Sequence, residues 1–114
     1  MILRTPLETC RFQRISRSDE IAEFLTALAA TSDDANCATI GWSVRGQPIC
    51  ALICARPSLQ PKPRVMLVGS HHGGSEPAGG EALLVVSRAL LNGALATLLD
   101  VLDIIVIPNV NPDG

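Results

Sequence analysis

The feature that most constrains this chain is a pair of apolar runs on either side of a helical pattern. "RVMLVGS" is short, rich in β-branched residues and bounded by turn residues, and reads as a buried strand. "LDIIVIPNVNPDG" holds a second fully apolar run, Ile104 to Ile107, followed by a turn-rich tail. Between them, from Ala82 to about Leu95, the apolar residues Leu83, Leu84, Val86, Leu90, Leu91 and Ala94 recur at helical spacing. Asn92-Gly93 marks where that helix ends or bends. Strand, helix and strand in this order form a βαβ unit, whose crossover is expected to be right-handed and to bring both strands into one parallel sheet.

The residues upstream extend that unit. "SRSDEIAEFLTALAA" predicts a helix, with Ser16 as N-cap, Asp19 three residues on, and Ile21, Phe24, Leu25 and Leu28 on one stripe. "TSDDAN" ends it. "CATIGWSVRGQPICALICARP" predicts a hairpin turning at Arg45-Gly46-Gln47, with Ile40, Trp42 and Val44 alternating before the turn and Ile49, Ala51 and Ile53 after it. The linker "SLQPKP" leads into Arg64 and is short enough for the hairpin to join the sheet. Residues 1–15 read as an irregular arm and 16–114 as one α/β domain, a mixed, largely parallel sheet with flanking helices.

Composition narrows the partners. At 114 residues and a formal net charge of −2, the chain offers no general attraction to nucleic acid or an anionic membrane. Its loosely grouped Arg11, Arg14 and Arg17 read as a solvated surface. No apolar run approaches the roughly 20 residues a membrane span needs. The N-terminal stretch lacks the apolar core and small-residue cleavage site of a secretory signal, so a cytoplasmic location is expected. Reduced thiols go with that compartment. Cys10, Cys37, Cys50 and Cys54 show no Cys-x-x-Cys spacing. Cys50 and Cys54, four apart on a strand, would share a face and pack as small hydrophobes.

In an α/β sheet, ligands bind at the carboxyl ends of the parallel strands. "VGSHHGGSEPAGGEALL" follows one strand and "NVNPDG" the other, so both stretches meet at one end of the sheet. Imidazole and carboxylate are usual zinc ligands. Gly73 and Gly74 would let the chain fold back so that His72 and Glu76 reach one ion. A catalytic zinc needs a third protein ligand and an open position for water. His71 and His72 are the only histidines, and Asp113 or Asp103 could serve as third ligand, although no spacing points to them. The same residues fit a plain loop in which Glu76 caps the following helix.

Four pieces taken in order resemble the zinc carboxypeptidase family, the carboxypeptidase A-like metallopeptidases. They are the helix "DEIAEFLTALAA", the hairpin "GWSVRGQPICAL", the strand, motif and helix of "PRVMLVGSHHGGSEPAGGEALL", and "LLDVLDIIVIPNVNPDG" with its Asn-Pro-Asp-Gly end. The resemblance covers residues 16–114 and implies the N-terminal part of that family's α/β fold. It implies one Zn2+ held by two histidines and a glutamate, which polarises the scissile carbonyl and activates water, with a separate glutamate as general base. His72 and Glu76 match by type the two ligands of the family's His-x-x-Glu motif. Arginines and an asparagine would grip the substrate's terminal carboxylate.

Two departures qualify the transfer. His72-Gly-Gly-Ser-Glu76 is one residue longer than the family's spacing, so a glycine either bulges out or displaces a ligand. The family's carboxylate-binding residues, third zinc ligand and catalytic glutamate lie later than the stretch matched here. At Asn111, Pro112, Asp113 and Gly114 only a turn-forming role is carried over. The expected parent is therefore a metallocarboxypeptidase acting on peptide or protein C-termini, with this fragment inactive by itself. The alternatives are an aspartoacylase-like, zinc-dependent N-acyl amino acid hydrolase, or an inactive α/β fragment or binding module.

Overall fold

A computed structural model describes residues 2–114. One four-stranded mixed sheet runs in the order β1-β2-β4-β3. It is built from β1 (Ala35–Trp42), β2 (Pro48–Cys54), β3 (Arg64–Val68) and β4 (Asp103–Ile107). The hairpin pairs β1 with β2 antiparallel, and β2 runs antiparallel to β4. β3 and β4 are parallel, in register from Arg64↔Asp103 to Val68↔Ile107, as the βαβ pattern requires. The hairpin thus joins the sheet on the β4 side, and β3 is left on the edge.

The helices α2 (Ser18–Ala29) and α3 (Ala78–Asn92) cover one face. Ile21, Phe24, Leu25 and Leu28 form the buried stripe of α2, and Leu84 and Leu90 that of α3. They close on Leu52, Cys54, Ile104 and Val106 of the sheet, with Leu99 from a short 3-10 turn, Ala96–Asp100. Cys50 packs against the same cluster, on the face it shares with Cys54. All four cysteines are free thiols. The opposite face is open along β3, where Met66 is 58% and Val68 48% exposed.

Several local expectations change. The arm is not wholly irregular, because Pro6–Thr9 forms α1, a single capped turn. Thr5 accepts from the Glu8 N–H at 3.2 Å, and Glu8 accepts from the Thr5 N–H at 2.8 Å. Ser16 does not cap α2. Arg17 occupies that position, and its N–H donates to the Glu20 carboxylate at 2.9 Å. Ser16 instead donates through both N–H and Oγ to Glu81, at 2.7 and 2.9 Å. α3 begins at Ala78, four residues earlier than the periodicity suggests, and stops at Asn92, where Gly93 turns the chain out into an extended conformation. Ile40, Trp42 and Val44 are all exposed; β1 ends at Trp42, so Val44 falls in the turn, and the register shifts between Thr39 and Gly41, so Ile40 bulges out of the ladder.

At the far end of the sheet, Lys62 ties down the proline-rich linker. Its side chain is only 7% exposed. Its ammonium donates to the carbonyls of Arg56 and Leu99 at 2.8 and 2.9 Å and lies 3.2 Å from Asp103.

Candidate metal centre

The site is built where β3 and β4 end. Beyond Val68 the strand pairing is carried on by the chain itself: the Gly69 N–H donates to the Ile107 carbonyl at 2.9 Å, and the Val110 N–H to the Gly69 carbonyl at 3.2 Å. This stitches the histidine loop to the tail. Gly80, in the first turn of α3, lies so close to Ser70 and to the Pro108 carbonyl that any Cβ there would collide with both. The N-terminus of α3 is therefore drawn tightly under the loop.

Ser70 takes a left-handed φ of 54°, and the chain then makes one 3-10 turn, Gly73–Ser75. The Gly73 N–H donates to the Ser70 carbonyl at 2.9 Å, and the Glu76 N–H to the Gly73 carbonyl at 3.3 Å. Ser75 Oγ donates to the His72 carbonyl at 2.9 Å. The turn winds the surplus residue into one extra step of backbone. His72 and Glu76 consequently project from the same side of the loop, with His72 Nδ1 2.6 Å from Glu76 Oε2. Their side chains are 63% and 69% exposed, so both face solvent. Glu76 does not cap α3, whose N-cap is Pro77 without a side-chain bond. His71 stacks edge-on against His72, ring centroids 5.0 Å apart.

Where the carboxylate accepts in this contact, the donor is the imidazole Nδ1–H. Imidazole nitrogen and carboxylate oxygen are both usual zinc donors, and both side chains are exposed. The donor types and their convergence fit a zinc ion, as two members of a larger set. Among the described residues no group of three His, Cys, Asp or Glu side chains stands together.

Neither aspartate weighed as a third ligand is free to be one. Asp103 is at the other end of β4, beside Lys62. Asp113 lies at the correct end but turns away. Its Oδ1 accepts from Ser43 Oγ at 2.6 Å and its Oδ2 from the Arg45 N–H at 3.0 Å. The tail touches the loop through other groups: Asn111 Nδ2 donates to the His71 carbonyl at 3.2 Å, and the Gly74 N–H donates to the Gly114 carbonyl at 3.2 Å. Sequence reasoning missed Ser43 as part of this end of the fold and gave Asn111 only a turn-forming role there. The Gly-x-Ser of the hairpin was the available signal for the first.

Comparison with known proteins agrees with this architecture. The zinc carboxypeptidase family model matches residues 21–114. Carboxypeptidase E of Caenorhabditis elegans is 38% identical over 84 residues, 66% of this chain and 18% of that protein. Carboxypeptidase D of Mus musculus is 30% identical, across 91% of this chain and 9% of its own length. Among solved structures, carboxypeptidase A from Helicoverpa armigera superposes with a TM-score of 0.77 at 26% identity, over 88% of this chain and 25% of that one. The chain thus spans a quarter or less of the relatives it matches here.

Proposed function

Because this chain belongs to the zinc carboxypeptidase family, we propose that His72 and Glu76 supply two of the ligands of a catalytic zinc in a metallocarboxypeptidase. The observation that carries the reading is the 2.6 Å approach of His72 Nδ1 to Glu76 Oε2 across a motif one residue longer than the family's. Zinc bound there would polarise the scissile carbonyl and lower the pKa of water. The residues of this chain have a narrower task. The β3 end and the 3-10 turn present one imidazole and one carboxylate to a common point. α3, drawn up against Ser70, holds that turn from below. Glu81, in the first turn of α3, accepts from both donors of Ser16 and so is committed to holding the arm.

The substrate is a peptide or protein C-terminus, cleaved by hydrolysis of its last peptide bond. Two donors alone make a weak zinc site, and this 114-residue stretch by itself is expected to turn over little or no substrate. The comparisons favour this reading over the N-acyl amino acid hydrolases, since the relatives they return are carboxypeptidases. The test is a chimera in which residues 21–114 replace the matching part of carboxypeptidase D. Zinc-dependent release of a C-terminal residue, lost in His72→Ala and in Glu76→Ala, is the expected result. A folded chimera that cleaves N-acyl amino acids but no peptide would overturn it.

A further inference from the structure

The Asn-Pro-Asp-Gly tail does more than turn. Asp113 accepts two hydrogen bonds from the tip of the β1–β2 hairpin, from Ser43 Oγ at 2.6 Å and the Arg45 N–H at 3.0 Å. Ser43 Oγ itself accepts from the Gln47 N–H at 2.9 Å, so the tip is closed around the carboxylate. Hydrogen bonds to an ionised acceptor are about twice as strong as neutral ones. From this anchor the tail reaches back to the histidine loop on both sides of His72. Asn111 Nδ2 holds the His71 carbonyl and the Gly114 carbonyl holds the Gly74 N–H, each at 3.2 Å. Between them Gly73, at φ +68°, lies flush against Gly114.

The His72 and Glu76 side chains are exposed, and the core does not pack over them. Their convergence therefore depends on how firmly the backbone of residues 71–76 is held. We propose that Asp113 is a positioning residue for the His72–Glu76 pair. By fixing the tail to the hairpin tip it steadies the loop in which the two side chains meet, and it contacts neither of them. The zinc arm of the test below rests on the ligand assignment made above; the tautomer arm does not.

The 114-residue chain carrying 15N-histidine is measured metal-free at neutral pH. Long-range proton–nitrogen correlations report which ring nitrogen of His72 carries the proton, and that choice is set by the hydrogen bond the ring makes. The wild type is expected in the Nδ1–H form. Asp113→Ala is expected to return His72 to a mixture with Nε2–H and to weaken zinc binding about tenfold. Asp113→Asn, which keeps one acceptor oxygen, should restore part of both. Backbone amides of Leu25, Leu52 and Val106 should be unmoved, which separates local positioning from general unfolding. If Asp113→Ala does not fold, Ser43→Ala decides. It removes one of the two donors and leaves the carboxylate in place, and it should shift the tautomer part of the way. A folded Asp113→Ala, or in its absence Ser43→Ala, with an unchanged His72 tautomer overturns the proposal. Should zinc bind the wild type no better than His72→Ala, the ligand assignment fails while the tautomer comparison still decides the role of Asp113.

Discussion

Gly73 and Gly114 meet backbone to backbone, 41 positions apart in sequence, so closely that a Cβ built on Gly73 would overlap the Cα of Gly114. Gly73 also holds φ +68°, a left-handed conformation that side chains rarely adopt. Both conditions come from the strand ends being stitched together beneath the loop.

Gly73→Ala should therefore destabilise the chain by about 1–3 kcal/mol, through strain and displacement of the tail. Gly79→Ala makes the control. Nothing lies within 4 Å of a Cβ at Gly79, which sits in the first turn of α3, so alanine there should be neutral or stabilise by up to about 1 kcal/mol. Urea unfolding midpoints of the two variants check the pair. Equal effects would mean that the Gly73–Gly114 contact is not made in solution.

The arm is fastened to α3 by an ion pair whose pH dependence has a definite sign. Arg88 Nη1 and Nη2 donate to Glu8 at 2.6 and 3.1 Å, and Nη1 also reaches the Leu3 carbonyl at 2.8 Å. The Arg88 guanidinium, followed by the Thr5 N–H, lowers the Glu8 pKa to about 2. A carboxyl whose folded pKa is depressed stabilises the fold fully above its unfolded value. That contribution is lost as pH falls from about 4.5 to about 2. Glu20 is lowered to about 2 by the Arg14 guanidinium and titrates in the same window, although Arg14 is well exposed and water weakens that pair. Melting temperatures between pH 2 and 5 should fall steeply for the wild type and less steeply for Glu8→Gln. Identical slopes would remove the Glu8–Arg88 pair from the account.

Lys62 should be costly to lose. Removing its ammonium strands two carbonyls and a partly buried carboxylate at once, which predicts a destabilisation of about 2–4 kcal/mol for Lys62→Met in urea unfolding. A loss below about 0.5 kcal/mol would place that end of the chain in water.

The open sheet face sets the solution behaviour. Met66 and Val68 stand exposed and side by side on β3, an edge strand with an unpaired ladder of backbone groups. Sedimentation at rising protein concentration should show self-association of the wild type, and Met66→Lys should reduce it. No difference between the two would clear this edge.

The stripe of α2 and the βαβ unit were legible because their information is local. Ile21, Phe24, Leu25 and Leu28 repeat at helical spacing, and all four are buried. Two apolar strands joined by one helix leave little choice but a parallel pair, and β3 and β4 form it. The arm carried a local signal too, the Thr-x-x-Glu of Thr5 and Glu8, but reading residues 1–15 as irregular passed over the capped turn it makes. Partners distant in sequence were not legible. Ser16 looks like a helix cap until Glu81, 65 residues on, takes both its donors. Period-2 alternation placed Ile40, Trp42 and Val44 on a strand, but β1 ends at Trp42, Val44 falls in the turn, Ile40 bulges out of the ladder, and all three are exposed. Asp113 has the composition of a turn residue, and only the fold brings it against a serine 70 positions earlier. In the histidine loop the spacing alone left bulge and displacement equally open. A 3-10 turn shortens the path between His72 and Glu76, and imidazole and carboxylate meet across it.

His72 and Glu76 are proposed to bind one metal ion together. Isothermal titration of zinc into the wild type, His72→Ala and Glu76→Ala, at one pH and ionic strength, tests it directly. A wild-type affinity at least tenfold above that of either variant is the expected result. Indistinguishable isotherms for all three proteins would contradict it.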